Sequence, residues 1–103
     1  MQLTKDTDKM FCLIYEEYLN RRKIGFPKSS AISFEHPEAL QCDFLQGIHE
    51  DDIHSAIHEL HRNKLIRKYV DDSFNLSDDG IIYMENRFKN GIKEVLEYIS
   101  LIK

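Results

Sequence analysis

The sequence predicts an α+β domain, mainly helical, with a small three-stranded antiparallel sheet and a C-terminal helix. Three observations carry that prediction. Ile53, Ala56, Ile57 and Leu60 recur at i, i+3, i+4 and i+7, the spacing of one buried helix face. Leu65-Ile66 and Phe74-Asn75-Leu76 follow as short apolar runs on either side of an Asp-rich turn. Ser77-Asp78-Asp79-Gly80 then opens a new helix, with Ser as the cap and two acids in the first turn, where the helix dipole favours them.

A chain of 103 residues has room for one core, so residues 1–103 are read as a single domain. A hydrophobic fraction of 42% with no low-complexity tract predicts that it folds. No apolar run approaches the ~18 residues of a membrane span. The polar start Met-Gln-Leu-Thr-Lys-Asp lacks the apolar centre of a signal peptide, so a cytoplasmic location is expected. Cys12 and Cys42 make neither a metal knuckle nor a disulfide framework. Both read as buried spectator thiols, and a redox pair requires that the first two helices touch.

In chain order, residues 1–6 are polar and expected to fray. Thr7 is read as an N-cap. Phe11, Ile14, Tyr15 and Tyr18 set the inner face of a helix over 7–22, closed by Arg21, Arg22 and Lys23, and Leu13 falls on its outer side. Residues 24–30, with Gly25 and Pro27, read as a loop. Ala31-Ile32-Ser33-Phe34 alternates as a first strand, 31–34. Pro37 opens a second helix over 37–46, with Ala39, Leu40, Phe44 and Leu45 as its apolar stripe and Gly47 beyond its end. Ile48 lies in the turn to a third helix over 50–63. Strands over 65–70 and 73–76 flank a tight turn at Asp71-Asp72 or Asp72-Ser73.

From 77 to 102 one helical phase runs through Ile81, Met84, Phe88, Ile92, Val95, Leu96, Ile99 and Ile102. Gly91 inside a helix costs about 1 kcal/mol relative to Ala, so one helix kinked at 90–91 and two helices are both open. So long a stripe on so small a domain leads to the expectation that part of it meets another chain.

Helix, turn, helix, strand, turn, strand, helix is the order of a winged helix-turn-helix. Ile53-x-x-Ala56-Ile57-x-x-Leu60, then Leu65-Ile66, then Leu76-Ser77-x-x-Gly80, resembles the pattern of MarR-like and PadR-like regulators over residues 48–84. Ser77 stands for their usual Thr, and Asn63-Lys64 stands where Gly is common before the strand. The compact size and short wing most resemble the small YjcQ-like family of bacterial and phage proteins. The resemblance implies a winged-helix fold and no particular activity, because a fold does not fix a function.

A winged helix raises DNA binding as the expected function, in transcriptional regulation and as a homodimer through helix one and the C-terminal helix. On helix three, Ser55, His58 and Arg62 are the donors placed to read bases, and Lys64, Arg67 and Lys68 the cations placed to hold phosphates. The net charge of -4 and the acidic turn at Asp71-Asp72 argue against an easy fit to a polyanion. They favour the rival reading, a non-enzymatic protein-interaction module without DNA binding. His54, His58 and His61 form an i, i+4, i+7 stripe able to offer a metal two ligands, with Asp51 one turn earlier. No helix position supplies a clean further ligand, so they are read as exposed spectators and no metal or cofactor is expected. No phosphate loop, nucleophile elbow or metalloprotease motif is present, so no enzymatic activity is expected.

Overall fold

The structure is a computed structural model that describes residues 2–102; residues 1 and 103 lie outside it. The first helix, α1 (Lys5–Lys23), starts before Thr7 because the capping position is Thr4, in extended backbone. Thr7 is instead buried one turn inside α1, and residues 5 and 6 are helical where fraying was expected. Met10, Phe11, Ile14, Tyr15 and Tyr18 form its buried face. Leu13 is half-buried and packs on the core, so it is not the isolated exposed leucine the helical phase implied.

Residues 24–30 are not all loop. Pro27 caps a single-turn helix, α2 (Lys28–Ala31), whose Ala31 is fully buried. That turn takes Ala31 and Ile32 out of the expected strand, leaving β1 (Ser33–Phe34). Helix α3 (Pro37–Gln41) is also shorter than expected. Leu40 and Leu45, five residues apart, would diverge on a regular helix. A widened turn, with the Leu45 amide bonded to the Leu40 carbonyl at 3.0 Å, brings both into the core. Cys42 falls in that irregular stretch and is exposed, whereas Cys12 is buried with its thiol pushed up to about 12 by burial. The cysteines are therefore not both buried, and both are free.

Helix α4 (Glu50–Arg62) buries Ile53, Ala56, Ile57 and Leu60, the four residues its periodicity selects. It stops because Asn63 and Lys64 turn the chain, Lys64 in the left-handed region at φ 62. Glycine adopts this conformation without a Cβ penalty. Lys64→Gly is expected to stabilise the fold by about 0.5–1 kcal/mol by removing the Cβ penalty of that conformation, read as a raised denaturant midpoint at unchanged slope.

Strands β2 (Ile66–Lys68) and β3 (Phe74–Leu76) complete an antiparallel sheet of order β1-β3-β2, with Phe34 opposite Phe74 and Ile66 opposite Leu76. Phe34 and Phe74 stack at 5.0 Å between ring centres on the buried side. The β2–β3 connection is a three-residue loop. The Tyr69 amide donates to the Ser73 carbonyl at 2.9 Å, and the Tyr69 carbonyl accepts from the Asp72 amide at 3.0 Å. Asp72 has φ 64, the left-handed position of this loop class. The expected two-residue turn and longer strands give way to it.

Ser77 caps α5 (Asp78–Arg87), its hydroxyl accepting from the Gly80 amide at 3.0 Å and donating to the Lys64 carbonyl at 2.9 Å. The final segment is two helices, not one. After Arg87 the chain breaks at Phe88, and Gly91 at φ 70 reverses it into α6 (Ile92–Ile102). The break folds α6 back onto α1. Ile81, Met84, Phe88, Val95 and Ile99 are thereby buried within their own chain. Leu96 and Leu101 remain outside. Among the described residues no helix is long and apolar enough to cross a membrane.

Candidate functional site

Helix α4 sits between two polar clusters, one at each edge of its exposed face. On one edge Glu59 accepts from the Thr4 amide at 2.7 Å, the Thr4 hydroxyl at 2.8 Å and the Thr7 hydroxyl at 2.8 Å. Burial pushes this carboxyl up, but the three donors outweigh it and hold Glu59 below its usual range. The cluster ties the start of α1 to α4, and Ser55 lines the shallow groove beside it.

On the other edge Asp72, only 7% exposed, reaches back from the β2–β3 loop. Its Oδ2 lies 2.6 Å from His54 Nδ1 and 3.2 Å from His58 Nε2, and its Oδ1 lies 3.1 Å from Lys68 Nζ. Burial pushes Asp72 up; hydrogen bonds from His54 and Lys68 override that and hold it below the usual carboxylate range. His54 is raised in turn, chiefly by Asp72, with burial opposing and Glu38 adding to the shift. The far nitrogen, His54 Nε2, lies 3.6 Å from both Glu38 Oε1 and Glu50 Oε1. Glu38 is held down to about 2 by its own backbone N–H, then by hydrogen bonds with Glu50 and His36; Glu50 is pushed up by the same shared contact. A continuous chain of carboxylates and imidazoles thus runs from α3 across α4 to the hairpin loop.

The residues expected to contact DNA divide between these surroundings. Ser55, His58 and Arg62 share the exposed face of α4, as their spacing requires, with Asp51 in line. Lys64 and Arg67 are exposed. Lys68 is not an open cation: its side chain is 20% exposed and committed to Asp72. Asp72 is likewise not part of an exposed acidic hairpin tip, since the left-handed loop turns it under the hairpin towards α4. Asp71 alone stays exposed there and closes the loop on the Ser73 amide and hydroxyl at 3.0 and 2.6 Å. His54 and His58 converge on Asp72, whereas His61 is exposed and outside that group.

Comparison with protein-family models, with curated proteins and with solved structures found no match. Sequence reasoning missed Asp72 and Glu59, whose partners lie 18 and up to 55 residues away. One signal for Asp72 was available: an Asp where a three-residue hairpin usually places Gly.

Proposed function

We propose that the chain is a winged-helix DNA-binding domain acting in transcriptional regulation, with α4 as the helix that enters the major groove and the β2–β3 hairpin as the wing. The observation that carries the reading is the exposed polar face Ser55-His58-Arg62 on a helix that follows α3 and a turn and runs directly into the hairpin of a β1-β3-β2 sheet. Ser55, His58 and Arg62 supply hydrogen-bond donors to base edges. Lys64 and Arg67 are the cations open to phosphates, and Lys68 acts indirectly by holding Asp72. What supports a homodimer through α1 and α6 is narrower than the sequence implied: Leu96 and Leu101 on the outer side of α6.

The experiment is duplex binding as a function of salt. The wild-type chain should bind random-sequence DNA at low salt, with log affinity falling linearly in log salt. The double variant Lys64→Ala/Arg67→Ala should bind more weakly and flatten that slope by about two, one phosphate contact for each cation. An unchanged slope, or no binding by the wild type at low salt, removes the DNA reading.

A second reading, docking of a protein partner, has one observation in its favour. Val70 is fully exposed and Tyr69 half-exposed at the hairpin, next to Asp71 in sequence, while Lys68 on β2 is already paired with Asp72. An apolar tip flanked by acid suits a basic or apolar protein surface better than a phosphate backbone.

A further inference from the structure

We propose that His54, His58 and Asp72 form a binding site for a divalent transition-metal ion, Zn²⁺ by ligand chemistry, bridging α4 and the hairpin loop. Each of the three side chains offers one ligand atom, and these atoms all lie within 4.8 Å of one another; His54 Nδ1 and His58 Nε2 lie 2.6 and 3.2 Å from Asp72 Oδ2. Two imidazoles and one carboxylate are the ligand set of an open zinc site, which takes water as its fourth ligand. The pair at i, i+4 comes from one helix turn, so its spacing is fixed by α4 itself. The third ligand, absent from the helix, arrives from the hairpin.

The surroundings fit that use in three ways. Lys68 engages Oδ1 of Asp72 at 3.1 Å and leaves Oδ2 to the cluster centre, so the carboxylate is oriented without being blocked. Glu38 and Glu50 each place a carboxylate oxygen 3.6 Å from His54 Nε2, which favours a proton on that nitrogen and leaves Nδ1 as the one to face a metal. The side chain of His58 is half-exposed, which gives an ion a path in and leaves room for the water ligand. Imidazole with carboxylate, and no thiolate in the group, selects zinc and its divalent neighbours over calcium or magnesium. The site does not depend on whether the chain binds DNA; an ion there staples the hairpin loop to α4.

The test is titration of the chelator-treated full chain with Co²⁺, a visible probe of tetrahedral coordination, followed by competition with Zn²⁺. The wild type should bind one ion, develop tetrahedral Co²⁺ absorption, lose it to Zn²⁺, and melt at a higher temperature with Zn²⁺ present. His58→Ala and Asp72→Asn should each weaken binding by at least about tenfold, the lower end of what altering a ligand's support does. His61→Ala and Cys42→Ser should bind as the wild type does. His58→Ala removes a half-exposed side chain and carries the test by itself if Asp72→Asn fails to fold. Absence of saturable binding to the wild type overturns the proposal. So does undiminished binding by His58→Ala, or an equal loss in His61→Ala or Cys42→Ser.

Discussion

Gly80→Ala is expected to destabilise the domain by about 3 kcal/mol or more, even though alanine is the better helix former. Propensity alone has the opposite sign and would stabilise α5 by up to about 1 kcal/mol. The decisive fact is what a Cβ would meet. It would lie 2.2 Å from the Leu65 carbonyl oxygen, 3.1 Å from the Leu65 carbonyl carbon and 3.3 Å from Leu76 Cδ1. The first two are backbone, and that carbonyl already accepts the Ser77 amide at 3.1 Å. Neither side can yield without pulling α5 off the sheet or breaking the junction where β3 passes into α5. For a domain this size the loss should lower Tm by at least about 10 °C. A variant that melts within about 2 °C of the wild type would show that α5 does not lie against Leu65 as described.

That contact also explains which parts of the fold were legible. Parts of the stretch from Ile53 to Gly80 could be read because their rules are local. Four apolar residues share a face of α4. Lys64 occupies a left-handed slot. Ser77 bonds the amide three residues on. Gly80 is different, because the room it lacks is taken by the Leu65 carbonyl, a contact between segments distant in sequence. The break at residues 88–91 was not legible, because the apolar residues keep one helical phase across it. Only Gly91 hinted at a reversal, and a glycine within a helix is tolerable. What decides the break is a set of contacts between α6 and α1, at the two ends of the sequence.

The candidate site divides in the same way. Ser55, His58 and Arg62 share a face because helical spacing requires it. The neutralisation of Lys68 and the burial of Asp72 depend on a loop conformation and on the hairpin folding against α4. Formal charges therefore misstate the surface. Lys68 counts as a cation and Asp72 as an anion in the sequence, yet in the structure they largely cancel, and the open cations of the α4–hairpin surface are Arg62, Lys64 and Arg67.

Arg87→Ala should have the second largest effect, about 2–3 kcal/mol of stability, through a tertiary clamp that sequence spacing does not reveal. Arg87 ends α5 immediately before the break. Its guanidinium grips both carboxylate oxygens of Asp8 on α1, with Nη2 at 3.0 Å from Oδ2. Asp8 also accepts from the Tyr98 hydroxyl of α6 at 3.1 Å, and the guanidinium lies over the Phe88 and Tyr98 rings at 4.9 and 4.6 Å. One carboxylate and one guanidinium thus join α1, α5 and α6, and removing the cation strands a partly buried carboxylate beside an aromatic wall. Arg87→Lys should fall between alanine and wild type, since lysine keeps the charge but loses the two-pronged grip and the flat stacking face. The loss should be local at first. Amide exchange of Val95 and Ile99 should accelerate more than that of Ile53 or Ile57, because α6 is held by this clamp while α4 is enclosed by α1 and the sheet. Equal melting of wild type, Arg87→Lys and Arg87→Ala would reduce the clamp to a solvent-screened surface pair. Equal acceleration in α4 and α6 would mean that α6 and α4 unfold as one unit, and that the reversal at Gly91 is held by apolar packing alone.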